Sequence, residues 1–333
     1  MPAHYERMAG PPHGYLAFAP HPERTNAVTL EPTVPLPGGE YLRGFDAEID
    51  IVDEGQIFVR GRMRDHRLDL EHTWLLATPE YEVLEAGAVQ HAGRADHLSP
   101  HLCARYAAIK GVRIGRGFSK RILDALGEDL PGKQEHLLLA IEMARVGQQV
   151  YQFPTGFEAR FHRNPDVASP DALLSWEKDR AYMGALADSC YTYRDASAAL
   201  FASRRIVSIV GPQVTNPAPG TRRAFWRRKR LAIRKAEQGG AAFQCESAME
   251  DPLHDIAIGF RLGIDGTVSA AHSHAARVPY SGLCEDPHGR TASLDGLRLT
   301  AAFVGQLADH VGGAKGCTHL FDLSVDCLRL FRL

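Results

Sequence analysis

Two stretches of this 333-residue chain read alike, and that repetition restricts the folds open to it. DLEHTWLLATPEYEVLEAGAVQHAGR (residues 69–94) and DPLHDIAIGFRLGIDGTVSAAHSHAAR (residues 251–277) carry the same features in the same order. Each has a histidine, an apolar run, a turn, a second alternating run, and then H-A-x-R. His72 falls on His254, 182 positions later, and His91 and Arg94 fall on His274 and Arg277 at a spacing of 183. Downstream, Cys103 falls on Cys284, GVRIGRGF (111–118) on GLRLTAAF (296–303), and His136 on His319, all within spacings of 181–185. So many anchors at one spacing indicate a folding unit used twice.

Local pattern gives both copies one layout. Period-two alternation and β-branched content predict strands at 45–50, 56–62, 73–77 and 82–91, with helices at 100–109, 117–126 and 133–151. In the second copy strands are predicted at 223–234, 241–248, 256–262 and 267–275, and helices at 293–311 and 317–330. The fold class is therefore α+β: two related units, each an antiparallel four-stranded meander followed by helices. Two such units are expected to pack as a pseudo-twofold pair. The chain divides into an irregular arm (1–40), a first unit (41–155), a connector with a helical stretch and a proline-rich segment (156–221), and a second unit (222–333).

Bulk composition excludes several classes. A formal charge of −2 gives no global attraction to nucleic acid or to an anionic membrane. Six scattered cysteines without a CxxC pair argue against a disulfide framework or a cysteine-rich zinc site. The first thirty residues hold no apolar signal core, and no run approaches the ~18 apolar residues of a spanning helix. A cytoplasmic protein is expected. The oligomeric state stays open, a homo-oligomer included.

His272-Ser273-His274 is the sharpest local feature, because residues i and i+2 of a strand share a face. His254, on the preceding strand, would join them. Such a trio suits cofactor-free acid–base chemistry near neutral pH, or a zinc or iron site. Tyr280 follows the second H-A-x-R and offers a phenolic proton. Arg60, Arg62 and Arg64 alternate along one strand and would hold an anionic substrate, with His72 on the neighbouring strand; a solvated sheet edge protected by charge is the alternative. Arg222–Arg230 is the only strongly basic run, and it reads as a charged edge strand with apolar partners inward. No nucleic-acid module accompanies it. There is no Walker loop, no supported dinucleotide fingerprint, no GxSxG elbow and no HExxH helix.

GGAKGCTHLFDL (312–323) reads as the start of a helix. Thr318 is its expected N-cap and Asp322 lies near its positive end. Since His319 recurs as His136, a structural task is expected for it, with catalysis second. Cys317 has no counterpart in the first unit.

Pro252-Leu253-His254, Cys284, Gly296-Leu297-Arg298-Leu299 and Gly316-Cys317-Thr318-His319-Leu320 together resemble the bacterial family called domain of unknown function 2889. The first unit looks like a diverged copy, with Gln134-Glu135-His136 in place of the last motif. The resemblance implies a small aromatic substrate, because such proteins occur in bacteria that degrade aromatic compounds. Resemblance and elimination together lead to a cofactor-independent lyase of aromatic catabolism. One concrete reaction is loss of formaldehyde from a lignin-derived phenylcoumaran dimer to give a stilbene. His272 and Tyr280 are the acid candidates, His254 or His274 the base, and His319 a further candidate. The alternatives are a non-catalytic ligand-binding or assembly protein, and a metal enzyme built on the His272/His274 strand.

Overall fold

The structure is a computed structural model that describes residues 30–91, 98–236 and 242–332. In chain order, β1 (Glu31–Pro32) precedes a meander of β2 (Glu40–Asp53), β3 (Gln56–Arg64), β4 (Asp69–Ala77) and β5 (Glu82–Gln90). Three helices follow: α1 (Pro100–Arg105), α2 (Phe118–Leu126) and α3 (Lys133–Gly147). The connector holds α4 (Pro170–Tyr182), α5 (Ser197–Ser203), β6 (Val207–Ser208) and α6 (Pro212–Thr215). A second meander comprises β7 (Phe225–Lys235), β8 (Phe243–Glu250), β9 (Asp255–Leu262) and β10 (Val268–Arg277). The chain ends with β11 (Tyr280–Ser281), α7 (Phe303–Val311), α8 (Thr318–Leu328) and β12 (Phe331–Arg332).

Both meanders belong to one antiparallel eight-stranded sheet, in the order β10-β9-β8-β7-β2-β3-β4-β5. The seam is the β2·β7 pair, in register from Glu40 opposite Arg234 to Ile49 opposite Phe225. Outward from that seam the strands run in sequence on each side. The fold is α+β, as the alternation predicts.

Alternation also decides which face is covered. In β2, Tyr41, Phe45, Ala47, Ile49 and Ile51 are buried, whereas Asp46, Glu48 and Asp50 point the other way. α3 packs on the inward face of β2, β3 and β4, and α8 packs on that of β7, β8 and β9. Each fully buried side chain such as Val59, Trp74, Ile233 or Leu323 contributes about 1.5–3 kcal/mol by leaving water. Where α3 meets α8 the contact is ionic. Arg145 Nη2 lies 2.6 Å from Asp322 Oδ1, and Lys229 Nζ lies 3.0 Å from Glu142 Oε2. Burial pushes the Asp322 carboxyl up to about 6, against the opposing pull of Arg145.

Several expectations need correction. β7 is a central strand and not a charged edge, because β2 and β8 flank it. The basic run is split by the pleat: Arg227 and Lys229 point inward and are buried, and Arg228 and Arg230 face solvent. The single helix expected at 293–311 is broken. Residues Asp286–Leu294 form a 3-10 helix, and the next segment runs beside β10, where the Val268 N–H donates to the Leu297 carbonyl. Gly296, at φ +81°, makes that turn. The helical stretch expected in the connector is also interrupted, between α4 and α5, by a loop that carries Ser189–Tyr193.

The connector is not a free linker. β6 pairs with β11 of the second unit, and Tyr280 packs with Trp176 and Phe201 in a third, smaller core. Residues 1–29 of the expected N-terminal arm, and Arg94 of the first H-A-x-R, lie outside the described residues. The arm's described end is anchored: β1 pairs with β12, and the Leu30 N–H donates to the Ile264 carbonyl. Among the described residues no helix is long and apolar enough to cross a membrane.

Candidate active site

The turn between β8 and β9 builds the first part of the site. Asp251 Oδ1 accepts the backbone N–H groups of Leu253 at 2.8 Å and His254 at 2.7 Å. An aspartate that ties down its own turn in this way fixes the side chain that follows. His254 Nδ1 lies 3.0 Å from the same oxygen, so Asp251 selects the tautomer with the proton on Nδ1. Arg227, turned inward by the pleat of β7, reaches the other oxygen: Nε and Nη2 lie 2.8 and 2.7 Å from Asp251 Oδ2. Arg277 Nη2 donates to the Asp251 carbonyl at 2.7 Å, which gives the arginine of H-A-x-R a structural task.

His319, in the first turn of α8, completes the cluster. Its ring centroid lies 4.1 Å from that of His254. Burial alone would raise the Asp251 carboxyl, but the charges of His254 and Arg227 outweigh it and hold the group well below the usual carboxylate range. Burial, and then the neighbouring His254, push the His319 imidazole well below its ordinary value. The result is an ionised aspartate behind a histidine, with a neutral imidazole alongside.

This cluster opens on a cavity of about 310 Å³ between the two units and the connector. The volume sits at the lower end of the range for small-molecule sites, roughly 300–1,000 Å³. Apolar wall comes from Phe118 and Ile141 of the first unit, Val214 of the connector, and Ile256 and Val278 of the second. A second polar group lines it: Asp179 of α4, with Tyr151, Tyr193 and Tyr280. The Tyr193 and Tyr280 hydroxyls each donate to Asp179 Oδ2 at 2.8 Å, and the Tyr151 hydroxyl donates to Oδ1. Burial, and next the charge of Asp179, push the Tyr280 phenol well above its ordinary value. Burial raises the Asp179 carboxyl despite the three hydroxyls.

Three of the expected site residues therefore meet at the cavity: His254, His319 and Tyr280. His272 and His274 do not. Antiparallel register sets Ser273 opposite the buried Ile258, so its neighbours face the other side, where His272 covers Gly259 and both imidazoles are exposed. His254 lies in a turn before β9, so the trio shares no face. Arg60, Arg62 and Arg64 also point away from the helices; Arg62 pairs with Asp69 at 2.6 Å and Arg64 with Asp46 at 2.7 Å. β3 is an interior strand between β2 and β4, so these arginines do not protect a sheet edge but lie on the solvated face, whereas Arg227 is turned inward. His72 is sealed in the first unit's core, 3.0 Å from His136 Nδ1. The zinc or iron alternative needs further ligands beside His272 and His274. Among the described residues no group of three His, Cys, Asp or Glu is placed to hold a metal ion.

The GCTHL segment also differs in detail. Cys317, not Thr318, occupies the N-cap position, and the Thr318 hydroxyl donates to the Ser189 carbonyl at 2.8 Å, tying α8 to the connector. Burial pushes the Cys317 thiol up to about 12, so it is protonated at neutral pH and a poor nucleophile.

Sequence reading missed Arg227, Asp251, Asp179, Tyr151 and Tyr193. For Arg227 a signal was present, since it shares parity with Phe225, Leu231 and Ile233 and must point inward with them. Asp179 and its tyrosines come from distant segments, and no local pattern joins them.

The fold and site define an α+β protein with a histidine–aspartate–arginine cluster on a cavity between two strand-and-helix units. Residues 230–329 match the family model described as protein of unknown function (DUF2889). The match covers Arg227's strand from Arg230 onward, the Asp251–His254 turn and α8, and leaves the first unit outside. No curated protein and no solved structure matches the chain significantly.

Proposed function

We propose that the protein is a cofactor-independent acid–base lyase acting on a small aromatic compound in this cavity. The observation that carries the reading is His254: oriented by an ionised Asp251, it directs its free Nε2 away from that partner. A base so held needs no further activation. Arg227 balances the Asp251 charge. The apolar walls suit aromatic rings.

A phenylcoumaran dimer losing formaldehyde remains the concrete case. His254 removes the proton of the side-chain hydroxyl, and the adjacent carbon–carbon bond breaks to release formaldehyde. The electron pair becomes the stilbene double bond and expels the ring ether oxygen as a phenolate. The proton on His254 then passes to that oxygen, directly or through His319, so no oxidant or reductant is consumed. Tyr280 drops out as acid, because its hydrogen is already committed to Asp179.

The test is incubation of the purified protein with a phenylcoumaran dimer, counting formaldehyde and stilbene. Equal yields from the wild type, falling about 10²–10⁴-fold in His254→Ala, are expected. Full turnover in His254→Ala would remove the assignment, and binding without turnover in the wild type would leave a ligand-binding protein. We infer also that the two units are diverged copies. Supporting this are the strand order on either side of the β2·β7 seam and the pairing of His72 with His136 as of His254 with His319.

A further inference from the structure

The Asp179 cluster is not needed for the proton transfers just described, yet it is built with unusual care. Asp179 is 2% exposed, and among the described residues no cation forms an ion pair with it. A buried carboxylate in that position needs hydrogen bonds from every available donor. Three phenols supply them, from the segment after α3 (Tyr151), the connector loop (Tyr193) and β11 (Tyr280).

Counting lone pairs shows what is left. Two carboxylate oxygens accept about four hydrogen bonds. Among the described residues, Oδ2 is filled by Tyr193 and Tyr280, and Oδ1 holds Tyr151 alone. One acceptor position on Oδ1 remains. Each tyrosine gives its hydrogen to Asp179, and the Tyr280 oxygen also lies 3.4 Å from Ser175 Oγ, so the Tyr151 and Tyr193 oxygens remain as further acceptors. All four residues line the cavity. The cluster thus presents acceptors only, and it rewards a ligand group that donates.

We propose that Asp179, with Tyr151, Tyr193 and Tyr280, is a second recognition site in the cavity, and that it takes an uncharged hydroxyl of the ligand, which donates to Asp179 Oδ1. The class of ligand is then an aromatic compound with a hydroxyl for this cluster and a second oxygen function for the His254–Arg227 cluster. This inference rests on the reading of the cavity as an aromatic-ligand site. A hydroxyl is favoured over an ammonium because three phenols already neutralise much of the carboxylate's demand, and the cavity holds Arg145, Arg227 and Arg329.

The experiment measures the affinity of dihydroxystilbene, its monomethyl ether and its dimethyl ether for the wild type, Asp179→Asn and His254→Ala. In the wild type, masking the hydroxyl that meets Asp179 is expected to weaken binding about tenfold or more, since a buried charged acceptor is left unpaired. Asp179→Asn should lose that discrimination, and His254→Ala should keep it. Equal weakening of all three probes by Asp179→Asn would reduce the cluster to a structural clasp and overturn the inference. Tighter binding of an aminomethylstilbene, which is an ammonium at neutral pH, than of hydroxystilbene, dependent on Asp179, would overturn it in favour of a cation site. If Asp179→Asn does not fold, Tyr193→Phe serves: it frees a lone pair on Oδ2 and should raise the hydroxyl preference several-fold, and an unchanged preference refutes the site. Probes that bind but ignore methylation sink this inference alone. No binding of any probe to the wild type sinks the aromatic reading with it.

Discussion

The molecule contains two buried histidine pairs at matched positions, and they differ in what surrounds them. In the first unit His72 Nε2 and His136 Nδ1 lie 3.0 Å apart, with the Tyr106 ring 3.8 Å from that of His72. Both histidines are fully buried, and among the described residues Nδ1 of His72 and Nε2 of His136 find no partner. Burial pushes His72 well below its ordinary value and His136 down to about 4. In the second unit the His254–His319 pair has an ionised aspartate, an arginine and a cavity beside it. Among the described residues the first pair has no ion-pair partner, so burial makes a proton on it expensive and the pair stays neutral. In the second pair His254 Nδ1 lies 3.0 Å from the Asp251 carboxylate, a charged partner that the first pair lacks. A carboxylate within reach turns a packing element into a candidate base.

The largest difference should appear in turnover. His254→Ala removes the base, whereas His72→Ala should leave the rate per folded molecule within about twofold; an equal loss in both would erase the functional contrast. Second is stability at the charged pair. Arg227→Met leaves Asp251 buried with one partner fewer and is expected to lower unfolding free energy by about 3–5 kcal/mol in urea titration. A change below about 1 kcal/mol would mean that Asp251 is not held as an anion.

The sealed pair should respond differently. His72→Leu or His136→Leu strands one imidazole nitrogen more and should cost about 1–3 kcal/mol each. The double variant should be less destabilised than the sum, because no unpaired group remains. Simple additivity would show that the two rings do not act as a unit.

Acid should act on the same pair. In the unfolded chain these histidines take up protons near pH 6.5, and in the folded chain only near pH 4 for His136. The unfolded state therefore binds more protons between those values, and stability must fall as pH drops from about 6.5 to 4. The expected slope is roughly 1.4 kcal/mol per pH unit per histidine, flattened in the double leucine variant. The smallest effect belongs to His272→Ala and His274→Ala, both exposed on β10. Each should change stability by less than about 0.5 kcal/mol and leave turnover intact. A large loss would return the His-Ser-His strand to the centre.

Much of the fold was legible in the residues alone. Seven of the eight main strands begin within four positions of their expected starts, because period-two alternation reports a half-buried sheet directly; β2 begins five positions early, where Tyr41 extends the pattern behind Leu42 and Arg43. The site was legible in part. His254 and His319 stood out by recurrence, but their partners did not. His272 and His274 shared a face as expected of i and i+2, and only the pairing of Ser273 with Ile258 made it the outer one.

By itself the sequence determined what is local: the strands and the turns. These follow from neighbour-to-neighbour sterics and the period of burial, which any short window carries. Tertiary structure alone decided that the two meanders join at β2·β7, which side of the sheet the helices cover, and that Asp179 meets tyrosines from three other segments. Those outcomes depend on contacts between residues far apart in the chain, such as Asp179 and Tyr280. Burial then sets the ionisation of each group, and burial is a property of the whole packed molecule.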